Sequence, residues 1–310
     1  MKLKEARSPR TLPRETRVRV LTDMNDVDGL VSASLVLRQF PNASIKTFTK
    51  RKEMKGEYDI VVDLPLLKSI KTHVWIDHHR GTIQEGRCRE KVYDSSAKSA
   101  ANLLAKYLNL KEDELVEIAN RADSANYLTD APFDLKKSYD PAWDVNDAVK
   151  AITSGEQFAE LAKTLAFEGL DGVRGKFKAK ISHTRRLRRK AEKIARMISM
   201  KVKKKKPDSM ILLMPKAERR GSMIGGYIVF SLHQKGIKAF AVFYKGGCWI
   251  HVRSYFKKID CSKVARRYGG TGHRFVGGVP IGLEKLDDIK LEFEKAGLKP
   301  LVVDLRRLSW

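Results

Sequence analysis

The chain has 310 residues, 42% hydrophobic and 8% aromatic, which excludes a disordered polypeptide and leaves room for two domains with separate cores. No run of 18 apolar residues occurs, so no membrane-spanning helix is expected, and the basic start, residues 1–19, lacks the apolar core of a secretory signal. The net charge of +25 calls for a polyanionic partner, nucleic acid ahead of a membrane surface, and three scattered cysteines (Cys88, Cys248, Cys261) without a CxxC pair fit a reducing cytoplasm.

Residues 1–16, with Pro9 and Pro13, read as a loose basic arm. A first strand over Arg17–Thr22 runs into Asp23-Met24-Asn25-Asp26-Val27-Asp28-Gly29, and a helix follows over Leu30–Arg38, ended by Pro41-Asn42. Strands follow at Ser44–Thr49 and at Tyr58–Val62, the latter closed by Asp63. Another, Val74–Ile76, runs straight into Asp77-His78-His79. From Ser95 the pattern turns helical: Ser96 to Leu108, Lys111 to Ala122 ending at Asp123, and Val145 to about Phe167. Strands alternating with helices predict an α/β fold, with a mostly parallel, doubly wound sheet in a first domain over residues 17–170.

Residues 171–208 form a basic linker. Between Arg174 and Lys206 there are sixteen Lys or Arg and one acid, Glu192, a net +15 and more than half the total charge. Phe177, Ile181, Leu187, Ala191, Ile194 and Ile198 fall near helical spacing, so one long amphipathic helix with a basic face is expected. Such a face is often merely solvated; its charge density also suits nucleic-acid backbone, with Arg185, Arg186, Arg188 and Arg189 as the candidate contacts. A smaller α/β domain then spans 209–310. It holds a strand at Met210–Met214, a helix at Met223–Leu232 and a hairpin of Lys238–Tyr244 with Cys248–Arg253. A short helix at Cys261–Tyr268 leads into the loop Gly269-Gly270-Thr271-Gly272-His273, then a helix at Glu284–Ala296 and a last strand at Leu301–Leu305.

Acids or imidazoles close one apolar element after another in the first domain: Asp26 and Asp28, Asp63, Asp77-His78-His79, and Asp123. Each alone reads equally well as a turn or a helix cap. As a set they match what two divalent ions 3.5–4 Å apart demand, a bridging carboxylate plus separate ligands for each ion.

These pieces, with Val252-Arg253-Ser254 and the glycine loop of the second domain, resemble the DHH phosphoesterase superfamily, which includes RecJ exonucleases, nanoRNases and phosphoadenosine-phosphate phosphatases. The resemblance runs from about Arg17 to Gly277-Gly278. It implies two metal ions, Mn in the first place with Mg or Co as alternatives. Asp26 binds the first, Asp28, His78 and Asp123 the second, and Asp63 bridges them. His79, with Asp77 beside it, lies near the phosphate and the attacking water. Arg253, Ser254, Gly270, Gly272 and His273 grip the substrate. One departure concerns the first ion: the residue that helps hold it in the family is a His or Asp just before Asp26, where this chain has Met24, a poor ligand for such an ion, and Asp23. The implied activity is hydrolysis of single-stranded nucleic acid or short oligonucleotides, as an exonuclease. The alternatives are a small-nucleotide phosphatase, a cyclic-dinucleotide phosphodiesterase, or a catalytically weak nucleic-acid-binding relative. DNA versus RNA, polarity, substrate length and any homodimer stay open at this level.

Overall fold

The computed structural model describes residues 17–48, 53–79, 82–110, 113–123, 141–202, 205–214, 218–233, 236–253, 255–272 and 274–307. The basic arm 1–16 lies outside them, as do Ser254 and His273. The chain divides into two compact units at 185/186, each with its own sheet.

The strands of the first sheet are β1 (Arg19–Thr22), β2 (Ser44–Lys46), β3 (Gly56–Val62), β4 (Ile70–Asp77) and β5 (Arg87–Tyr93). Their order is β2-β1-β3-β4-β5, parallel at every pairing. Neighbours on both sides bury the ends of β1, β3 and β4 as continuous apolar runs, the pattern of a parallel sheet's centre. Register then does the positioning. Thr22 pairs with Val62 and Val62 with Ile76, so the segments that follow them, starting at Asp23, Asp63 and Asp77, leave the sheet along one edge.

The helix α1 (Val27–Gln39) is buried from Val27 to Leu37 and packs against α2 (Ala100–Tyr107), α3 (Glu114–Asp123) and α5 (Gly155–Lys176). A helix enclosed on so many sides carries small residues on its tight faces. Ser34 Oγ donates to the carbonyls of Leu30 and, across to α5, Ala162 (2.9 and 3.1 Å). The helical pattern read from Val145 to Phe167 is two helices, α4 (Pro141–Lys150) and α5, because Ser154 caps a new start by accepting from the Gln157 amide.

Strand β5 has no counterpart among the strands expected from the sequence. Its residues, RCREKVY, carry alternating charges and no apolar run. It lies at the sheet's edge, where charged side chains on an open strand are favoured and an apolar pattern is not needed.

The basic helix is α6 (Lys178–Val202). Ile181, Thr184, Arg188, Ala191, Ile194, Ala195 and Ile198 are its buried stripe. Its first turns are fastened to α4: Thr184 Oγ donates to the Asp147 carbonyl (2.9 Å), and Arg185 pairs with the buried Asp144 and Asp147.

The second unit has a mixed, six-stranded sheet. Parallel pairs join β6 (Ser209–Leu213) to β7 (Ala239–Tyr244) and to β11 (Pro300–Asp304). Antiparallel pairs join β7 to β8 (Gly247–Val252), β8 to β10 (Val276–Val279), and β10 to the two-residue β9 (Thr271–Gly272). The order across the sheet is β11-β6-β7-β8-β10-β9. The β7–β8 turn needs Gly246, whose φ is +93°. The helices of this unit are α7 (Glu218–His233), α8 (Cys261–Arg267) and α9 (Leu286–Lys295), the last preceded by a 3-10 turn at Leu283–Lys285. The apolar side chains of α8 and α9, with those of the sheet, form a core around Ile250, Phe243 and Phe293.

Candidate metal centre

The carboxyl edge of the first sheet collects Asp63, Asp77, His78 and His79, and α1 and α3 bring Asp28 and Asp123 to them. Ligand atoms of Asp63, His78 and His79 lie within 4.8 Å of one another, and so do those of Asp28, His78 and Asp123.

Asp63 is held from two sides. Its N–H donates to the Ile76 carbonyl (3.0 Å), and the indole of the buried Trp75 donates to Leu64 next door (2.9 Å). Its φ is +60°, a left-handed conformation that costs an L-residue about 1–2 kcal/mol and that Asp tolerates better than most. Both carboxylate oxygens are buried and accept no hydrogen bond from the described residues. Burial pushes this carboxyl well above the usual range, and the charges of Asp26, Asp28, Asp23 and Asp77 push it further. A buried carboxylate without hydrogen bonds, ringed by like charges, is costly unless a cation compensates it.

Asp77 is fully buried and orients the histidines. Its Oδ1 accepts from the amides of His78 (2.8 Å) and His79 (3.2 Å) and meets Nδ1 of His79 at 2.8 Å. Burial works against a charged His79, but the hydrogen bond and charge of Asp77, with Asp123 and Asp26, outweigh it and raise the imidazole to about 9. Its Nδ1 is also 3.6 Å from Asp63 Oδ1. The hydroxyl of Tyr93, on β5, donates to the His79 carbonyl (3.1 Å).

The Nδ1 of His78 lies 3.2 Å from the Ala97 carbonyl, which assigns the proton to that nitrogen. Nε2 then faces Oδ2 of Asp28 and Oδ2 of Asp123, both at 3.6 Å. An imidazole fixed by a backbone carbonyl, with its other nitrogen among carboxylates, is the usual arrangement of a metal-ligating histidine. Asp123, the last residue of α3, is raised to about 6, by burial first and by Asp26 and Asp77 against the opposing pull of the histidines.

Asp28 is buried at the start of α2. Its Oδ2 accepts from the Ala100 amide (2.7 Å) and its Oδ1 from the Ala101 amide (2.8 Å). A helix N-terminus suits a carboxylate, and each oxygen keeps a second lone pair. Burial nevertheless raises this carboxyl well above its ordinary value, with Asp123 and Asp26 adding. Asp26 caps α1 through the Gly29 amide (2.9 Å). Asp23 accepts from the amide and side chain of Asn25 (2.7 and 2.8 Å) and is pushed up to about 6 by burial and by Asp26. Met24 is buried, its sulfur accepting from Thr47 (3.5 Å).

The donor set, the three carboxylates Asp28, Asp63 and Asp123 with the imidazoles of His78 and His79, fits divalent ions of the Mn, Zn or Fe type better than Ca. The supports of the site that the sequence did not disclose are Tyr93, the Ala100 and Ala101 amides, and Lys150, which donates from α4 to the Asn25 carbonyl. The only sequence signal for the amides is Ser99, the cap of α2.

The other candidates lie as follows. Arg253 follows β8, is half-buried, and sets its guanidinium 5.1 Å from the Tyr255 ring. The Gly270 amide donates to the Ala265 carbonyl (2.8 Å), and a Cβ there would meet the Gly278 carbonyl at 2.0 Å. Gly272 pairs with Gly277 in the sheet. On α6, Arg186 and Arg189 are exposed, Arg185 is paired with Asp144 and Asp147, and Arg188 is buried.

No protein-family profile and no curated protein sequence matches the chain. Solved structures do. A pGpG-specific phosphodiesterase, PggH from Vibrio cholerae, matches with a TM-score of 0.57 at 17% identity, over 91% of this chain and 99% of its own. RecJ from Thermus thermophilus, solved with Mn2+, matches with a TM-score of 0.57 at 16% identity over 93% of this chain; the chain spans about half of that protein's length (54%). A RecJ exonuclease bound to manganese matches with a TM-score of 0.52 at 16% identity, over 91% of this chain and 90% of its own. The chain shares the fold of these phosphodiesterase and exonuclease structures. Of the residues on which the sequence resembles the DHH phosphoesterase superfamily, Asp28, Asp63, His78, His79 and Asp123 are brought together in the two groups of ligand atoms.

Proposed function

We propose that this chain is a two-metal phosphodiesterase that hydrolyses single-stranded nucleic acid or short oligonucleotides, working from the ends and using Mn. The observation that carries the reading is Asp63: a buried, strained carboxylate with neither oxygen hydrogen-bonded, among carboxylates and two imidazoles that share the same edge. Asp63 is the bridging ligand in this reading. Asp28, His78 Nε2 and Asp123 complete one site, and Asp26, with Asp23 in place of the absent His, the other. Bound ions would activate water and shield the phosphoryl charge. Asp77 orients His79 through Nδ1, and His79 is the imidazole assigned to the substrate phosphate in this reading. In the second unit, Arg253, Ser254, His273 and the Gly270–Gly272 loop are the proposed grip on the substrate, and Arg186 and Arg189 offer the exposed charge of α6 to its backbone. The two-domain organisation, with α6 joining them, is part of the same reading.

A short substrate such as a dinucleotide is the second reading, favoured by a structural match to the pGpG phosphodiesterase that covers nearly all of that protein. One assay separates them. Purified protein with Mn is given DNA and RNA oligonucleotide ladders, pGpG and phosphoadenosine phosphate in parallel. Processive shortening of the ladders is expected, with no product in EDTA. Cleavage confined to pGpG would establish the second reading, and activity undiminished by EDTA would remove the metal mechanism.

A further inference from the structure

The second unit exposes two aromatic rings that its core does not use. Tyr255 is 57% exposed and Phe275 36% exposed. A guanidinium lies against each: Arg253 is 5.1 Å from the Tyr255 centroid and Arg274 is 5.9 Å from that of Phe275. The two pairs adjoin, because the Val252 amide donates to the Phe275 carbonyl (2.8 Å) and Val276 pairs with His251 where β10 meets β8. Tyr255 leaves the end of β8, and Phe275 leads into β10. Val276, beside Phe275, is itself 37% exposed, so the rings stand on open surface.

Leaving large rings in water is unfavourable, and a protein of this net charge has no shortage of lysines to place there instead. Aromatic faces bracketed by guanidinium groups match one kind of ligand well: the π-faces of nucleobases joined by a charged backbone. Inorganic polyphosphate uses the cations but gains nothing from the rings.

We infer that Tyr255 and Phe275 are a stacking platform for two nucleobases of a single strand, with Arg253 and Arg274 beside the connecting phosphate. This deepens the nucleic-acid reading above, on which it rests for its substrate class. The platform makes recognition depend on bases while reading little sequence, since every base has a π-face.

The test is binding of the metal-free full chain, in EDTA, to labelled hexadeoxyadenylate, hexariboadenylate and an abasic hexamer of the same charge, followed by fluorescence anisotropy. The native chain should prefer the base-bearing hexamers. Tyr255→Ala and Phe275→Ala should each cut that preference about 5- to 150-fold, the range for loss of one stacked base, and Tyr255→Trp should retain it. Equal affinity of the native chain for abasic and adenine hexamers overturns the inference, as does a preference that both alanine variants keep. The hydrolase reading fails separately: a chain that cleaves nothing with Mn can still show base-dependent binding, and an active nuclease can lack it.

Discussion

At the residue scale the centre is a collection of buried carboxyls that raise one another's cost of ionisation. Asp63 illustrates the balance. Burial, like charges and the lack of hydrogen bonds all oppose ionisation of its carboxyl, so at neutral pH it weakens the metal-free fold. Asp63→Asn keeps the shape and removes the charge. It should melt higher than the native chain in EDTA, while losing more than about 100-fold in hydrolysis with Mn, beyond what an outer-shell change costs. A variant that melts lower in EDTA, or one that stays active, would count against the bridging role. Met24 shows the opposite case. Where the family resemblance expects a His or Asp before Asp26, Met24 turns its side chain into the core against Thr47. The two ions should therefore bind unequally, and calorimetric titration with Mn should resolve a tight and a weak event. Asp23→Ala should remove mainly the weak one; two equal, tight events would mean that Asp23 and Met24 have been read wrongly.

At the element scale two features decide geometry. The first is the turn between β1 and α1. A Cβ on Gly29 would lie 2.2 Å from the Asp23 carbonyl oxygen, and backbone has little freedom to yield. Gly29→Ala should cost about 1–3 kcal/mol in denaturant unfolding, the range for overpacking, and should weaken Mn binding because the Asp23–Asp26 segment must shift. The second is α6, whose charges are not equivalent. Arg186, Arg189, Lys193 and Arg196 are exposed at spacings of three and four, which places them along one stripe. Changing these four to Gln should lower the log–log salt dependence of single-strand binding by about 0.7 for each phosphate no longer neutralised, with little change in melting. Arg185→Gln should do the reverse. It strips a partner from the buried Asp144 and Asp147, and the partly exposed guanidinium places the cost at about 1–3 kcal/mol, below that of a fully buried pair. An unchanged salt slope in the fourfold variant would return the stripe to a merely solvated face.

At the scale of the whole molecule, each unit has its own sheet, and among the described residues the acidic centre lies in the first. Mn at 100 times its Kd should stabilise the folded chain by about 2.7 kcal/mol. Hydrogen exchange should locate the gain. Amides at Asp63, His78, Ala100 and Ala101 should become more protected, and those of β7 and β8 should not. Protection spread evenly over both sheets would contradict a centre built from the first unit only.

Much of this protein was legible in its sequence, and the reason is local. A parallel sheet delivers the residue after each strand to one edge, so Asp63 and Asp77-His78-His79 could be placed together at that edge from the apolar runs before them. The basic helix announced itself through charge density and period. What the sequence could not contain was the set of long-range partners that turn a list of acids into a geometry. The amides that hold Asp28 lie 72 and 73 residues away, and Lys150 is 125 residues from the carbonyl it fixes. Strand β5 was invisible because an edge strand needs no apolar face. Arg185 and Arg188 were indistinguishable from Arg186 and Arg189 until packing turned two inward and left two exposed. Residue types and spacing set which chemistry is available here; only the tertiary structure decided which groups face one another, because burial, like-charge crowding and the φ of Asp63 are properties of the packed chain rather than of any segment of it.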